Sequence, residues 1–162
     1  MTRSSVALSE RPGNATLDNG SVSVPGSYVL IIALDRDLTL VVGALGEITF
    51  LSGAYAYVGS AMSGLDARIA RHLREEKSLH WHIDYLLQYA EVVDVLRVES
   101  EEHLECEIAA TLAQRLESVP GFGCSDCACA SHLFHAAEME ALNAAVEEVV
   151  HAKRGAFDSG AT

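Results

Sequence analysis

Two phenols, a guanidinium, imidazoles and a carboxylate are strung along this chain in an order that could act on a phosphate. Gly26-Ser27-Tyr28 opens one apolar run, and Tyr57-Val58-Gly59 ends another. Tyrosine is common at strand positions simply because it packs well there, so position alone points to the core. The residues after Tyr57 raise a second possibility. Gly59-Ser60-Ala61 and Gly64-Leu65 lead into a stretch carrying Arg68 and His72. Four residues apart, these two share one helix face beside a stripe of Leu65, Ile69 and Leu73. An arginine and a histidine along the edge of an apolar stripe call for a reason, and a phosphate is one, since guanidinium matches two of its oxygens at once. Tyr55 lies two residues from Tyr57, so on a strand both face the same side and both could line a site.

Three further groups carry possible chemistry. Glu105 stands in an acidic stretch with Glu101, Glu102 and Glu107, where most carboxylates are merely solvated. It comes directly after Leu104 of an apolar stripe, however, and so sits at the stripe's border. His80-Trp81-His82 with Asp84 forms the second group, where a histidine near a helix start is often a cap or a surface residue. The third is Cys124-x-x-Cys127-x-Cys129-x-x-His132, three soft ligands and an imidazole that could complete a tetrahedral zinc site. The spacing is tight and no second knuckle accompanies it, so small buried cysteines in a turn are the plainer reading.

Charge sets a limit on partners. The 162 residues carry a formal net charge of −12, which argues against loose binding to a phosphate backbone. The distribution softens this, because Arg68, Arg71, Arg74 and Lys77 fall within ten residues and could make one local basic face for nucleic acid. Many acidic residues with few lysines resemble the composition of proteins adapted to high salt. No apolar run approaches the roughly 18 residues that span a bilayer, and the start of the chain lacks a signal-peptide pattern. A cytoplasmic protein without a membrane partner is expected. Four cysteines, three of them crowded together, suit metal or redox chemistry before a disulfide scaffold.

The elements that must position these groups read as an α+β domain, a small antiparallel β-sheet flanked by helices. Residues 1–24 are rich in Ser, Gly, Asn and Thr and read as a mobile extension, 25–153 as the domain, and 154–162 as a flexible tail. Strands are expected at Tyr28–Leu34, Leu38–Val42, Ile48–Phe50 and Tyr55–Val58. A helix opens after Ser63-Gly64, another spans Trp81 to Tyr89, and Val92 to Val98 alternates as a strand. Ser100 reads as the N-cap of a helix burying Leu104, Ile108, Leu112 and Leu116, broken at Pro120-Gly-Phe-Gly123. A last helix runs from about Ala136 to Lys153, with Met139, Leu142, Val146 and Val149 on its buried face.

Taken in order, these motifs carry a specific resemblance. Tyr-Val-Gly-Ser-Ala at 57–61, with Gly-Leu-x-x-Arg-x-x-Arg-His at 64–72, resembles the second half of the GIY-YIG nuclease signature, and Gly-Ser-Tyr at 26–28 its first half. The run from Lys77 to Leu87, then Glu105-Cys106, then the segment Gly121 to Phe134, is similar to the Uri-like branch. The likeness covers about Gly26 to His135. The two tyrosines stand further apart than is usual in the family, so the segment of roughly Leu38 to Gly53 would be an inserted hairpin.

The resemblance implies a metal-dependent endonuclease that hydrolyses DNA phosphodiester bonds, in DNA repair or genome maintenance alongside other repair proteins. Tyr28 or Tyr57 would help activate a water, although a phenol with a pKa of about 10 needs a neighbouring cation to do so at neutral pH. Arg68 would stabilise charge growing on the phosphoryl oxygens, and His72 would orient a tyrosine or shuttle a proton. His82, rather than His80, would line the site. Glu105 would hold one hard divalent cation, Mg²⁺ or Mn²⁺, together with water and phosphate oxygens. Asp126, Ser131 and His132 would border the site, as an alternative to a zinc role for His132. A catalytically inactive module that binds nucleic acid or zinc is the competing expectation.

Overall fold

A computed structural model describes residues 23–124 and 129–161. Its chain order is β1 (Gly26–Leu34), β2 (Leu38–Val41), β3 (Glu47–Phe50), β4 (Gly53–Ala61), α1 (Leu65–Leu73), α2 (His82–Leu87), β5 (Glu91–Glu99), α3 (Glu105–Ala113), β6 (Glu117–Ser118), β7 (Leu133–Ala136) and α4 (Met139–Ala161). Five strands form one antiparallel sheet in the order β5-β1-β4-β7-β6, and β2 pairs with β3 as a separate two-stranded sheet. The expected α+β class and the expected hairpin between Leu38 and Gly53 are both present. Among the described residues no helix is long and apolar enough to cross a membrane.

The two faces of the sheet bury different sets, because side chains alternate along a strand. Tyr28, Leu30, Ile32 and Leu34 of β1, with Tyr55 and Tyr57 of β4, pack on Leu65 and Ile69 of α1, on Ile83 and Leu86 of α2, and on Phe50 and Phe122. Val29 and Ile31, with Ala54, Ala56 and Val58, pack on Ile108 and Leu112 of α3 and on Leu142, Val146 and Val149 of α4. A three-layer arrangement results, with the aromatic side of the sheet under α1 and α2. Tyr28 pairs with Gly59 and Leu30 with Tyr57, so Tyr28 and Tyr57 are diagonal neighbours on that side.

Two local devices hold the aromatic layer in place. Lys77 Nζ donates to the carbonyls of His72 and Arg74, both at 2.7 Å, so a cation sits on the exposed carbonyls where α1 ends. Asp84, in the first turn of α2, accepts from the backbone N–H of His80 and of Trp81 at 2.8 Å each. These are donors that a helix start leaves without partners, so the carboxylate fixes the entry of the chain into α2.

Two expectations about helix limits need correction. Ser100 does not cap α3: its Oγ accepts from Glu102 N at 2.9 Å, a tight local turn, and the helix begins five residues after it, with Leu104 at the cap position. Short side-chain-to-backbone bonds of this kind offer the chain an alternative to a helix start. The last helix starts at Met139 rather than Ala136, which belongs to β7, and it runs on to Ala161 past Gly155. Residues 1–22, which include most of the expected N-terminal extension, lie outside the described residues.

Candidate active site

Tyr28 leaves the middle layer from β1, with Oη 2.7 Å from Nε2 of His72 on α1. Both residues are 2% exposed. The imidazole is ringed by aromatic groups, its centroid 5.4 Å from Tyr28, 6.1 Å from Tyr57 and 5.7 Å from Trp81. Arg68, one helical turn before His72, lies over the Trp81 ring at 4.6 Å and donates to the Ser60 carbonyl at 2.8 Å. Its charge is close enough to act on the Tyr28 phenol. Trp81 is therefore a platform that sequence reasoning passed over: an indole face attracts a guanidinium and holds it level with the phenol.

Burial governs the electrostatics here. It pushes the Tyr28 phenol up to about 12, against the pull of the nearby Arg68 charge. It drives Tyr57 further upward, with the neighbouring Tyr28 and Asp84 adding to the rise and Arg68 opposing it. Burial also pulls His72 down to about 4, so the imidazole is neutral at ordinary pH. His72 Nδ1 is buried without a hydrogen-bond partner among the described residues. A bare ring nitrogen is cheaper to bury than an unmet N–H, which favours the proton on Nε2, donating to Tyr28. The Tyr28 oxygen then receives a hydrogen bond from the imidazole and feels the Arg68 charge, an environment that eases loss of its own proton once a cation arrives.

The other basic residues of the stretch are engaged differently. Arg71 binds Asp84 with both terminal nitrogens, at 3.0 and 3.1 Å, donates to the Ser78 carbonyl and lies 4.3 Å over Trp81. Burial alone would raise Asp84, but the Arg71 bonds and the two backbone N–H groups outweigh it and hold the carboxyl below its usual range. Lys77 is spent on carbonyls, and Arg74 is exposed.

His82 accepts from the Gly123 N–H through Nδ1 at 2.8 Å, which leaves Nε2 to carry its proton, and burial lowers its pKa. Gly123, at φ +78°, sits between Tyr57 and His132, with a Cβ there meeting Tyr57 Cε1 at 3.2 Å and His132 Cβ at 3.1 Å. His80 is exposed against the edge of Trp81. Tyr55 shares the face of Tyr57, but its hydroxyl donates to the Leu51 carbonyl at 2.5 Å and its ring packs on His135. Of the two, Tyr57 is the neighbour of His72. Ser131 Oγ is bound to the carbonyls of Val119 and Leu133, a structural use.

Glu105 opens α3, 3.9 Å from His103 Nδ1, with its side chain 19% exposed. Oε1 is buried with no hydrogen-bond partner among the described residues, and the charge is close enough to register on the Tyr28 phenol. A buried carboxylate oxygen without a donor fits a hard cation, which is the donor set Mg²⁺ or Mn²⁺ takes with water and phosphate oxygens.

The cysteines assemble otherwise than their spacing suggests. Cys106, Cys129 and His132 place their ligand atoms within 4.8 Å of one another, a group that could hold a metal ion. Cys106 was not among the expected ligands, while Cys124, which was, turns its thiol to the Phe122 carbonyl at 3.4 Å. Cys127 and Asp126 lie outside the described residues.

A family profile described as Domain of unknown function DUF123 matches residues 27–155. The chain belongs to this family. No curated protein and no solved structure gives a significant match. The DUF123 match spans every site residue named above, from Tyr28 to His132.

Proposed function

We propose that this DUF123 chain is a metal-dependent endonuclease of GIY-YIG type, of the Uri-like branch, hydrolysing DNA phosphodiester bonds in the cytoplasm in repair or genome maintenance. The observation that carries the reading is the convergence of Tyr28, Tyr57, Arg68 and His72, from three separate elements, around one hydrogen-bonded phenol. A phenol flanked by a guanidinium and a neutral imidazole suits a reaction in which water loses a proton beside an anion.

In this reading Arg68 meets the phosphoryl oxygens, since its remaining N–H groups are held level by Trp81. Tyr28, once it is a phenolate, takes the proton of the attacking water or orients that water, and His72 holds the phenolate oxygen through its Nε2–H. Tyr57 packs edge-on against the His72 ring and shields it from bulk water. His82 accepts the Gly123 N–H through Nδ1 and has Nε2 left to line the site. Glu105 would hold Mg²⁺ or Mn²⁺, which when bound supplies a positive charge at the phosphate and lowers the pKa of groups near it.

Nicking of supercoiled plasmid with Mg²⁺, comparing the parent with Arg68→Ala and Glu105→Ala, tests the proposal. Each variant is expected to lose about 100-fold or more, as deletion of a group stabilising transition-state charge does. Equal nicking by parent and both variants overturns the catalytic assignment. The Cys106/Cys129/His132 group favours a second reading, an inactive zinc- or nucleic-acid-binding module, for which retained DNA binding without any parental nicking is the signature.

A further inference from the structure

We propose that Cys106, Cys129 and His132 form a zinc site that ties the start of α3 to the chain leading into β7, separate from the cation assigned to Glu105. It does not depend on the nuclease reading. Two thiols and an imidazole are soft and borderline donors, the set that selects Zn²⁺ over Mg²⁺ or Ca²⁺. Their ligand atoms lie within 4.8 Å of one another, with Cys106 Sγ 4.0 Å from His132 Nε2. A tetrahedral centre with Zn–S near 2.3 Å has ligand-to-ligand edges of about 3.8 Å, so closing on the ion needs movements of about 1 Å or less.

The frame around the group is already set. His132 is 5% exposed and its backbone N–H donates to the Phe122 carbonyl at 2.8 Å, while its own carbonyl accepts from Val58 N at 2.9 Å. Gly121 N donates to the Ala130 carbonyl at 2.8 Å, so the segments before and after the cluster run side by side. Cys106 comes from the first turn of α3, which packs on the opposite face of the sheet from Tyr57. The three ligands thus join segments more than twenty residues apart in sequence that no strand pairing connects.

Binding releases protons, because each thiol gives up its hydrogen to become a thiolate ligand. The described residues supply three ligands, and the fourth position comes from outside this set. The bound ion would hold His132 against Gly123, and so keep the wall behind Tyr57 from moving.

The test is metal content of the full chain purified without chelator. About one zinc per chain is expected in the parent and in Cys124→Ser, with less than about a tenth in Cys106→Ser and His132→Gln. If the variants fold poorly, the parent is stripped and reloaded with Co²⁺, where thiolate ligation gives charge-transfer bands in the near ultraviolet and strong tetrahedral bands in the visible. A parent that holds no zinc, a Cys106→Ser protein that keeps it, or a Co²⁺ protein lacking thiolate bands overturns the site. Zinc content is read without DNA, so failure of the nuclease reading leaves this result standing, and the reverse.

Discussion

Gly59 stands directly across the β1–β4 ladder from Tyr28, and the Tyr28 ring fills the space a side chain there would occupy. A Cβ at Gly59 would come within 2.3 Å of Tyr28 Cζ and Oη, far inside contact distance. The glycine is therefore needed for room rather than for an unusual backbone angle. Gly59→Ala should push the phenol away from His72 and cost about 1–3 kcal/mol of stability, the usual penalty of overpacking. Thermal unfolding measures the second effect, and nicking the first. A variant as stable and as active as the parent would mean that the ring has another place to go.

His72 makes stability depend on pH. Its pKa lies at about 4 in the folded chain against an ordinary 6.5. Between these values the unfolded chain binds a proton that the folded chain refuses, so stability rises with pH across the window. The contribution is complete above about 6.5 and is lost as the pH falls toward 4, by about 3 kcal/mol at most. Denaturant unfolding at several pH values between 7 and 4.5 should show the slope in the parent and a flatter profile in His72→Gln. Coincident slopes would show that the imidazole is not held neutral by its surroundings.

DNA binding should be less sensitive to salt than the count of basic residues suggests. Arg71 is paired with Asp84 and Lys77 with backbone carbonyls, which leaves Arg68 and Arg74 of the stretch to meet phosphates. Two contacts predict a slope of about −2 for log K against log salt, and four would give about −4. Fluorescence anisotropy of a labelled duplex over a range of NaCl concentrations measures this. A slope near −4 would show that the internal pairs open when DNA arrives.

Much of the site could be read from local spacing, and the rest depended on register. Arg68 and His72 share a helix face because they are four apart, and Tyr55 and Tyr57 share a strand face because they are two apart. Choosing between the two tyrosines required knowing which end of β4 lies beside α1, and only the pairing of Tyr28 with Gly59 fixes that. Asp84 stands out beside His80 and His82, but its structural role carries no signal, since a carboxylate near a helix start is ordinarily solvated. Its hold on Arg71, His80 and Trp81 depends on a loop whose path no periodicity describes. Cys106 was missed for a related reason. It stands alone, eighteen residues before Cys124, whereas the clustering in sequence draws attention to Cys124.

The division of the sheet into two packed sides has a consequence for descent. Val29, Ile31, Ala56 and Val58 pack in the apolar layer with α3, α4 and Phe134, where volume is the main requirement. Their alternating neighbours Tyr28, Leu30, Tyr57 and Gly59 stand under or beside the phenol and its histidine. Kin of this chain should accordingly drift apart every other residue along β1 and β4, with free exchange among aliphatics on one side and near stasis on the other.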